Sequence, residues 1–180
     1  AFSAIQNNDK IGVIFFSDKI EKFIPPKKGR KHILYIIREL IDFKPESTRT
    51  NIQCAIEYLT NVQKKRCTAF MLSDFIDDHD FQNALTVANR KHDVVALQVY
   101  DRRMEELPDV GLLKLRDAET GHEQWVDTSS RAVRNAHHAW WMQRQEKLNG
   151  IFTHSNVDSV SVRTDQDYVK ALLNLFAKRN

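Results

Sequence analysis

Length and composition favour one globular domain and exclude several classes of protein. The chain has 180 residues, of which 42% are hydrophobic and 28% charged, enough for a single domain, 1–180, with a real core. Its net charge of +3 does not require nucleic acid as a partner. No apolar run approaches the ~20 residues of a membrane span. Cys54 and Cys67 lack a CxxC spacing, so we expect reduced thiols and a cytoplasmic location.

The first residues of the chain predict two strands and two helices. An apolar helical pattern is already under way at Ala1, so we expect a strand and most of a helix to precede it in the intact protein. The apolar run 10–16 is typical of a buried strand, and the alternating 20–24 follows so closely that it should be antiparallel. Two prolines should end this second strand. Apolar residues at helical spacing predict helices over 31–43 and about 51–64.

The rest of the chain alternates between strands and helices, interrupted by a hairpin. In chain order we predict a strand at 68–74, a helix at 79–91, a strand at 93–101, a hairpin at 111–127, a helix at about 130–150, a strand at 158–164 and a helix at 164–176. Such alternation favours an α/β fold with a doubly wound, mainly parallel sheet, helices on both faces and the hairpin as an insertion. In the long helix, core packing is expected for Trp140 more than for Trp141.

Two polar residues, Thr50 and Asp74, are predicted to meet at one edge of the sheet. In a right-handed crossover, the helix from 51 runs back along the sheet, so its start lies beside the end of strand 68–73. The lengths agree, because ~14 helical residues and ~6 strand residues both span roughly 20 Å. This carboxyl edge is where open α/β sheets place their sites.

A hydroxyl and a carboxylate at that edge suit Mg²⁺ or Mn²⁺, which prefer oxygen ligands. Two side chains are too few for a complete site, and Thr50 could instead simply cap the helix that follows. Three acids after the strand, Asp77, Asp78 and Asp80, are expected to start the next helix. Neighbouring side chains that could contact a partner are Ser17, Asp18 and Asp101 at the same edge, and Lys27, Lys28 and Arg30 in the basic run "PPKKGRKH".

The motifs "TNIQCAI" and "FMLSD" resemble the second and third motifs of von Willebrand factor A domains. More closely, "DKIGVIFFSD", "FIPPKKGRKH", "TRTNIQCAI", "MLSDF", "KHDVVALQVYD", "ELPDVGLLKLRDAETG", "WVDTSS" and "RTDQDYV", in that order, resemble the von Willebrand A-like proteins encoded beside MoxR-type AAA+ ATPases in bacteria. This resemblance spans essentially the whole chain.

The resemblance implies a metal-ion-dependent adhesion site, in which Asp-x-Ser-x-Ser, a threonine and an aspartate surround Mg²⁺. Thr50 and Asp74 match the last two. The first motif is absent, and its nearest imitation, 127–130, lacks the final serine and is expected to cap the following helix. We therefore expect metal in the intact protein and none in this chain. The expected function is an interaction module, not an enzyme, that serves a MoxR-type ATPase.

Two further expectations follow from the same pattern. The rival function is a Mg²⁺-dependent hydrolase of the phosphatase kind, with Asp74 and Asp101 as metal ligands, although no phosphate-binding glycine loop is present.

In the family's sheet a central first strand lies between the counterparts of strands 10–16 and 68–73. Without it both strands would have open edges, so we expect this chain to self-associate.

Overall fold

The computed structural model describes residues 7–179, so the helical start predicted at Ala1 lies outside the described residues. The strands are β1 (Ile11–Phe16), β2 (Ile20–Lys27), β3 (Thr68–Ser73), β4 (Asp93–Tyr100), β5 (Leu112–Arg116), β6 (Glu123–Asp127) and β7 (Asp158–Arg163). The helices are α1 (Arg30–Asp42), α2 (Ile52–Val62), α3 (Gln82–Lys91), α4 (Arg102–Glu105), α5 (Arg131–His154) and α6 (Tyr168–Arg179). Within these residues no helix is both long and apolar enough to cross a membrane.

A parallel sheet in the order β3-β4-β7 forms the centre of the fold. Thr68 lies opposite Asp93, and Val95 opposite Asp158. One face of the sheet packs on α2, α3 and α5 in a cluster that includes Ile52 and Leu85, both fully buried. On the other face α6 packs against β7. The α/β fold class predicted from the sequence is confirmed.

The antiparallel pair β1–β2 is separate from the parallel sheet. The prediction that prolines end β2 is wrong, because the strand continues to Lys27. A register shift lies at this point, and an edge strand or a bulge tolerates proline because it needs no further N–H donor. Gly12 permits the close approach, since a Cβ there would lie 2.8 Å from the carbonyl oxygen of Ile24.

The hairpin β5–β6 is present as predicted, with Leu112 opposite Asp127. The segment 127–130 supplies the N-cap residue of α5, as expected, and it also closes the base of the hairpin. Thr128 is fully buried, and its hydroxyl donates to the carbonyl of Gly111 at 2.6 Å and accepts from the N–H of Val110 at 3.2 Å. The N-cap of α5 is Ser130, whose side chain makes no capping hydrogen bond.

The two tryptophans of α5 are placed in the reverse of the predicted order. Trp141 is buried, with 3% of its surface exposed, and its ring lies 5.0 Å from that of Tyr100. Trp140 is 42% exposed. Adjacent side chains on a helix point in directions about 100° apart, so only one of the two tryptophans can face the sheet. That one is Trp141, whose ring packs against Tyr100 at the end of β4.

Candidate functional site

A polar cavity of about 310 Å³ lies at the carboxyl ends of the strands. It is formed by four separate segments: the end of β1, the start of α2, the loop after β3 and the turn of the β5–β6 hairpin. Its lining residues are Asp18, Arg49, Thr50, Asn51, Asp78, His79 and Glu119. The structure thus brings together Thr50 and Asp18, two of the residues selected from the sequence.

The start of α2 is fixed by Asn51, not by Thr50. The Asn51 side chain accepts a hydrogen bond from the N–H of Cys54 at 2.9 Å, which makes it the N-cap. Its own N–H donates to the carbonyl of Ser17 at 3.0 Å. The expectation that Thr50 caps this helix is therefore wrong. The contact with Ser17 confirms that the end of β1 shares one edge of the sheet with the helix start, and the half-buried Thr50 lines the cavity there.

The acid that contacts the first turn of α2 is Asp77. Its carboxylate accepts from the N–H of Ile52 at 2.7 Å and from the N–H of His79 at 2.8 Å, and it lies 2.7 Å from His79 Nδ1. The side chain is fully buried. Asp77 does not start the next helix as predicted; Asp80 lies before its N-cap residue, Phe81, and accepts from the N–H of Gln82 at 3.0 Å.

Asp74 follows β3 directly but does not line the cavity. Its carboxylate accepts from the N–H of Ile76 at 3.1 Å, and its backbone carbonyl accepts from the side chain of Gln98 at 3.2 Å. Between these contacts Phe75 has a left-handed backbone, φ 57°, while its ring is buried in the core. Bulky residues adopt such a backbone only when the surrounding packing holds it. The loop that carries Asp74 and Asp77 is therefore rigidly placed.

Hydrogen bonds lower the pKa of two carboxyl groups near the end of β1, those of Asp18 and Glu21. The Ser47 side chain lowers the pKa of Asp18 most, and Ser17 lowers it further. The hydroxyl of Ser17, 2.7 Å away, is also the main cause that lowers the pKa of Glu21, assisted by the N–H groups of Glu46 and Ser47 at 3.2 Å each. Glu21 thereby fastens the loop before α2 to the β1–β2 turn.

The remaining candidate residues lie elsewhere. Asp101 directly follows β4, and its carboxylate accepts from the N–H of Arg103 at 2.8 Å and caps α4. The basic run lies at the other end of the β1–β2 pair, since Lys27 is opposite Ile11. Ser17 and Asp18 are therefore separated from Lys28 and Arg30 by the ~17 Å length of β1.

Sequence reasoning missed several contributors to this edge, among them Asp77, His79 and Glu119. A signal for the first two existed in the acidic run "DFIDDHD", which holds more acids than one helix start needs. Glu119 had no local signal. The hydroxyl of Thr48 donates to its carbonyl at 2.7 Å, a contact across 71 residues that only the folded hairpin creates.

The donors at this edge do not form a complete metal site by themselves. Across residues 7–179 no group of three or more histidine, cysteine or acidic side chains is placed to hold a metal ion. The cavity offers the Thr50 hydroxyl and separate carboxylates from Asp18, Asp78 and Glu119. The described residues therefore do not fit a bound Mg²⁺ without further ligands.

The parallel sheet with helices on both faces and a polar cavity at its carboxyl edge define an open-sheet α/β protein. The fold is similar to the conserved hypothetical protein BatB from Bacteroides thetaiotaomicron, with a TM-score of 0.57, 18% identity and coverage of 98% of this chain and 83% of that chain. The fold is also similar to an aerotolerance-related membrane protein from Bacteroides fragilis. The TM-score is 0.57 and the identity 19%, over 95% of this chain and 80% of that chain. The chain belongs to the DUF58 family, described as "Protein of unknown function DUF58", whose family model matches residues 1–147.

Curated relatives come from mycobacteria. The uncharacterized protein Rv1480 of Mycobacterium tuberculosis is 28% identical over 178 residues, which cover 95% of this chain and 54% of the relative. The uncharacterized protein MAV169 of Mycobacterium avium is 28% identical over 163 residues, or 87% of this chain and 93% of that protein. The chain thus spans about half the length of the first of these relatives.

Proposed function

We propose that this chain is a protein-interaction module of the von Willebrand A type that binds its partner at the carboxyl edge of the sheet. The observation that carries the proposal is the cavity built there by four separate segments. Loops held by a rigid scaffold are the usual location of binding residues in such folds. Here the scaffold contacts are Asp77 to α2 and Asn51 to the end of β1.

The character of the cavity suits recognition of a charged group. Three carboxylates, from Asp18, Asp78 and Glu119, line it together with the cationic Arg49. Such a mixed lining orients a polar group of a partner by paired hydrogen bonds and charge. In the longer protein, Thr50 and Asp74 are proposed to supply two of the ligands of Mg²⁺ or Mn²⁺, with the rest coming from residues beyond those described.

The proposed partner is a MoxR-type AAA+ ATPase, and the proposed location is the cytoplasm. The support for this partner is the order of motifs along the chain, because von Willebrand A-like proteins with this order are encoded beside such ATPases. This support is an association at the level of the family, and the partner therefore needs a direct test.

A pull-down with the full-length protein tests the proposal. The protein should retain a MoxR-type ATPase in Mg²⁺ and release it in EDTA, and Thr50→Ala or Asp74→Ala should reduce retention by about tenfold or more. Asp9→Ala is the matched control, because this exposed acid precedes β1 at the opposite edge. Retention that is equal in all three variants and insensitive to EDTA contradicts the proposal.

The same protein should be assayed for metal-dependent hydrolysis of a generic phosphoester. An interaction module predicts no turnover. Turnover that is lost in Asp74→Asn and in Asp101→Asn would support the hydrolase instead. Asp101 already caps α4, so its variant must be shown to be folded before a loss of activity is interpreted.

A further inference from the structure

A second cavity, of about 490 Å³, lies between α4, the hairpin and α5. Its lining residues are Arg103, Met104, Leu107, Pro108, Leu113, Lys114, Leu115, His137 and Trp140. Its volume falls within the ~300–1,000 Å³ of binding pockets. The candidate site at the carboxyl edge shares none of these residues.

The walls of this cavity are mainly apolar. Three leucines, a methionine, a proline and the 42% exposed Trp140 supply them. Along β5 the cavity-lining Leu113 and Leu115 alternate with Leu112 and Lys114, so the 65% exposed Leu112 and the 64% exposed Trp125, which lies opposite Lys114, belong to the other face of the hairpin. Exposed aromatic and aliphatic side chains around a concave surface are typical of protein-binding sites.

The rim of the cavity carries a cation without a counterion. The nearby acids are engaged elsewhere: Glu105 pairs with Arg163, Glu106 with Arg102, Asp109 with Arg134 and Glu123 with Lys114. Arg103 has no ion-pair partner among residues 7–179. A guanidinium without a partner beside an apolar pocket is complementary to a carboxylate.

His137 adds an unused polar atom to the same wall. Its Nε2 is buried and makes no hydrogen bond to any residue in the described part of the chain. Its ring lies 5.6 Å from that of Trp140. Buried polar atoms are seldom left without a partner in folded proteins, because desolvation without a hydrogen bond is unfavourable. An occupant of the cavity would supply the missing partner.

We propose that this cavity docks a segment of a partner protein that presents a bulky apolar side chain next to a carboxylate. The apolar side chain fills the space between Leu113 and Trp140, and the carboxylate pairs with Arg103 and accepts from His137. An anionic lipid surface fits less well, because such surfaces attract clusters of lysine and arginine, whereas Arg103 is a single cation beside a concave pocket. The proposal is independent of the cavity at Thr50.

The proposal can be tested by titrating the isotope-labelled chain with three capped pentapeptides, followed by ¹⁵N–¹H correlation spectra. The first peptide is Ala-Asp-Phe-Asp-Ala, the second has lysine in place of both aspartates, and the third has alanine in place of phenylalanine. Only the first should shift the signals of Leu113, His137 and the Trp140 indole in a saturable way. The indole of the buried Trp141 serves as an internal reference for the fold.

Matched variants separate docking from structural effects. Arg103→Ala should weaken binding of the first peptide about fivefold or more, whereas Arg102→Ala, which removes a neighbouring cation paired with Glu106, should not. His137→Phe keeps a ring and should also weaken binding. Arg103→Glu should transfer the preference to the lysine peptide.

Several outcomes would overturn the proposal. They are equal shifts with all three peptides, shifts confined to other residues, or equal losses in the Arg102 and Arg103 variants. Broadening of the cavity signals on concentrating the chain alone would assign the surface to a second copy. Broadening by phosphatidylglycerol vesicles, without peptide, would assign it to a lipid surface.

Discussion

Replacing Asp77 with alanine should destabilise the fold more than any other single change at the carboxyl edge. The buried carboxylate joins the loop after β3 to the first turn of α2 through the N–H of Ile52, 2.7 Å away. It also holds the backbone of His79 at 2.8 Å. Removal of the carboxylate leaves the N–H of Ile52 without this acceptor. Ile52 is fully buried and lies at the helix terminus, where the helix itself provides no acceptor.

The expected loss in the free energy of unfolding is ~2–3 kcal/mol. A hydrogen bond to a charged group contributes ~1.5–3 kcal/mol, and an N-terminal acceptor at a helix contributes ~0.5–2 kcal/mol. The two figures describe the same contact to Ile52 and overlap, so they are not added. Asp77→Asn keeps an acceptor oxygen and should lose roughly half as much as Asp77→Ala.

Urea unfolding followed by circular dichroism measures this loss. With a slope of ~2 kcal/mol per molar urea, the midpoint should fall by ~1–1.5 M in Asp77→Ala. Asp78→Ala is the control, because that side chain is 97% exposed and 3.8 Å from Arg144, and such pairs contribute ~0–1 kcal/mol. Equal midpoints for the two alanine variants would refute the role assigned to Asp77.

Three further predictions concern stability and assembly. Burial lowers the pKa of His92, so as the pH falls the unfolded chain binds a proton at this residue before the folded chain does. The free energy of unfolding should therefore be highest above pH ~6.5 and decrease below it. Urea midpoints at several pH values should show this slope, and His92→Gln should flatten it. Gly12→Ala should destabilise by ~1–3 kcal/mol because its Cβ would meet the Ile24 carbonyl at 2.8 Å. Gly150→Ala, with open space around it, should instead stabilise α5 by ~0.5–1 kcal/mol, and thermal unfolding distinguishes the two. Finally, pairing between the edges of β1 and β3 in different copies should give dimers or larger species in light scattering at micromolar concentration, which a strictly monomeric chain would contradict.

Local patterns were sufficient to predict the parallel sheet and the edge that carries the site. Apolar runs that end in an acid identified β3 and β4, and the crossover rule placed the start of α2 beside the end of β3. The contact between Asp77 and Ile52 confirms that placement. The choice between Asp74 and Asp77 was beyond these rules, because both are acids in the same loop and only the folded loop shows that Asp77 contacts the helix.

Other details depended on contacts between distant parts of the chain. The prolines of β2 were expected to end the strand, yet an edge strand does not need their missing N–H groups. Trp140 and Trp141 could not be ordered from helical spacing alone, since the ring of Tyr100 at the end of β4 determines which one is buried. The role of Thr128 likewise depended on the hairpin base closing on Gly111.

The position of the hairpin turn makes one wall of the Thr50 cavity replaceable. The turn is closed within itself, because Asp117 accepts from the N–H groups of Glu119 and Thr120, and it contacts the loop before α2 through Thr48. Its length and composition can therefore change without altering the register of β3, β4 and β7. Relatives that share this sheet can acquire different partners by exchanging a single turn, much as antibodies vary their loops on a constant framework.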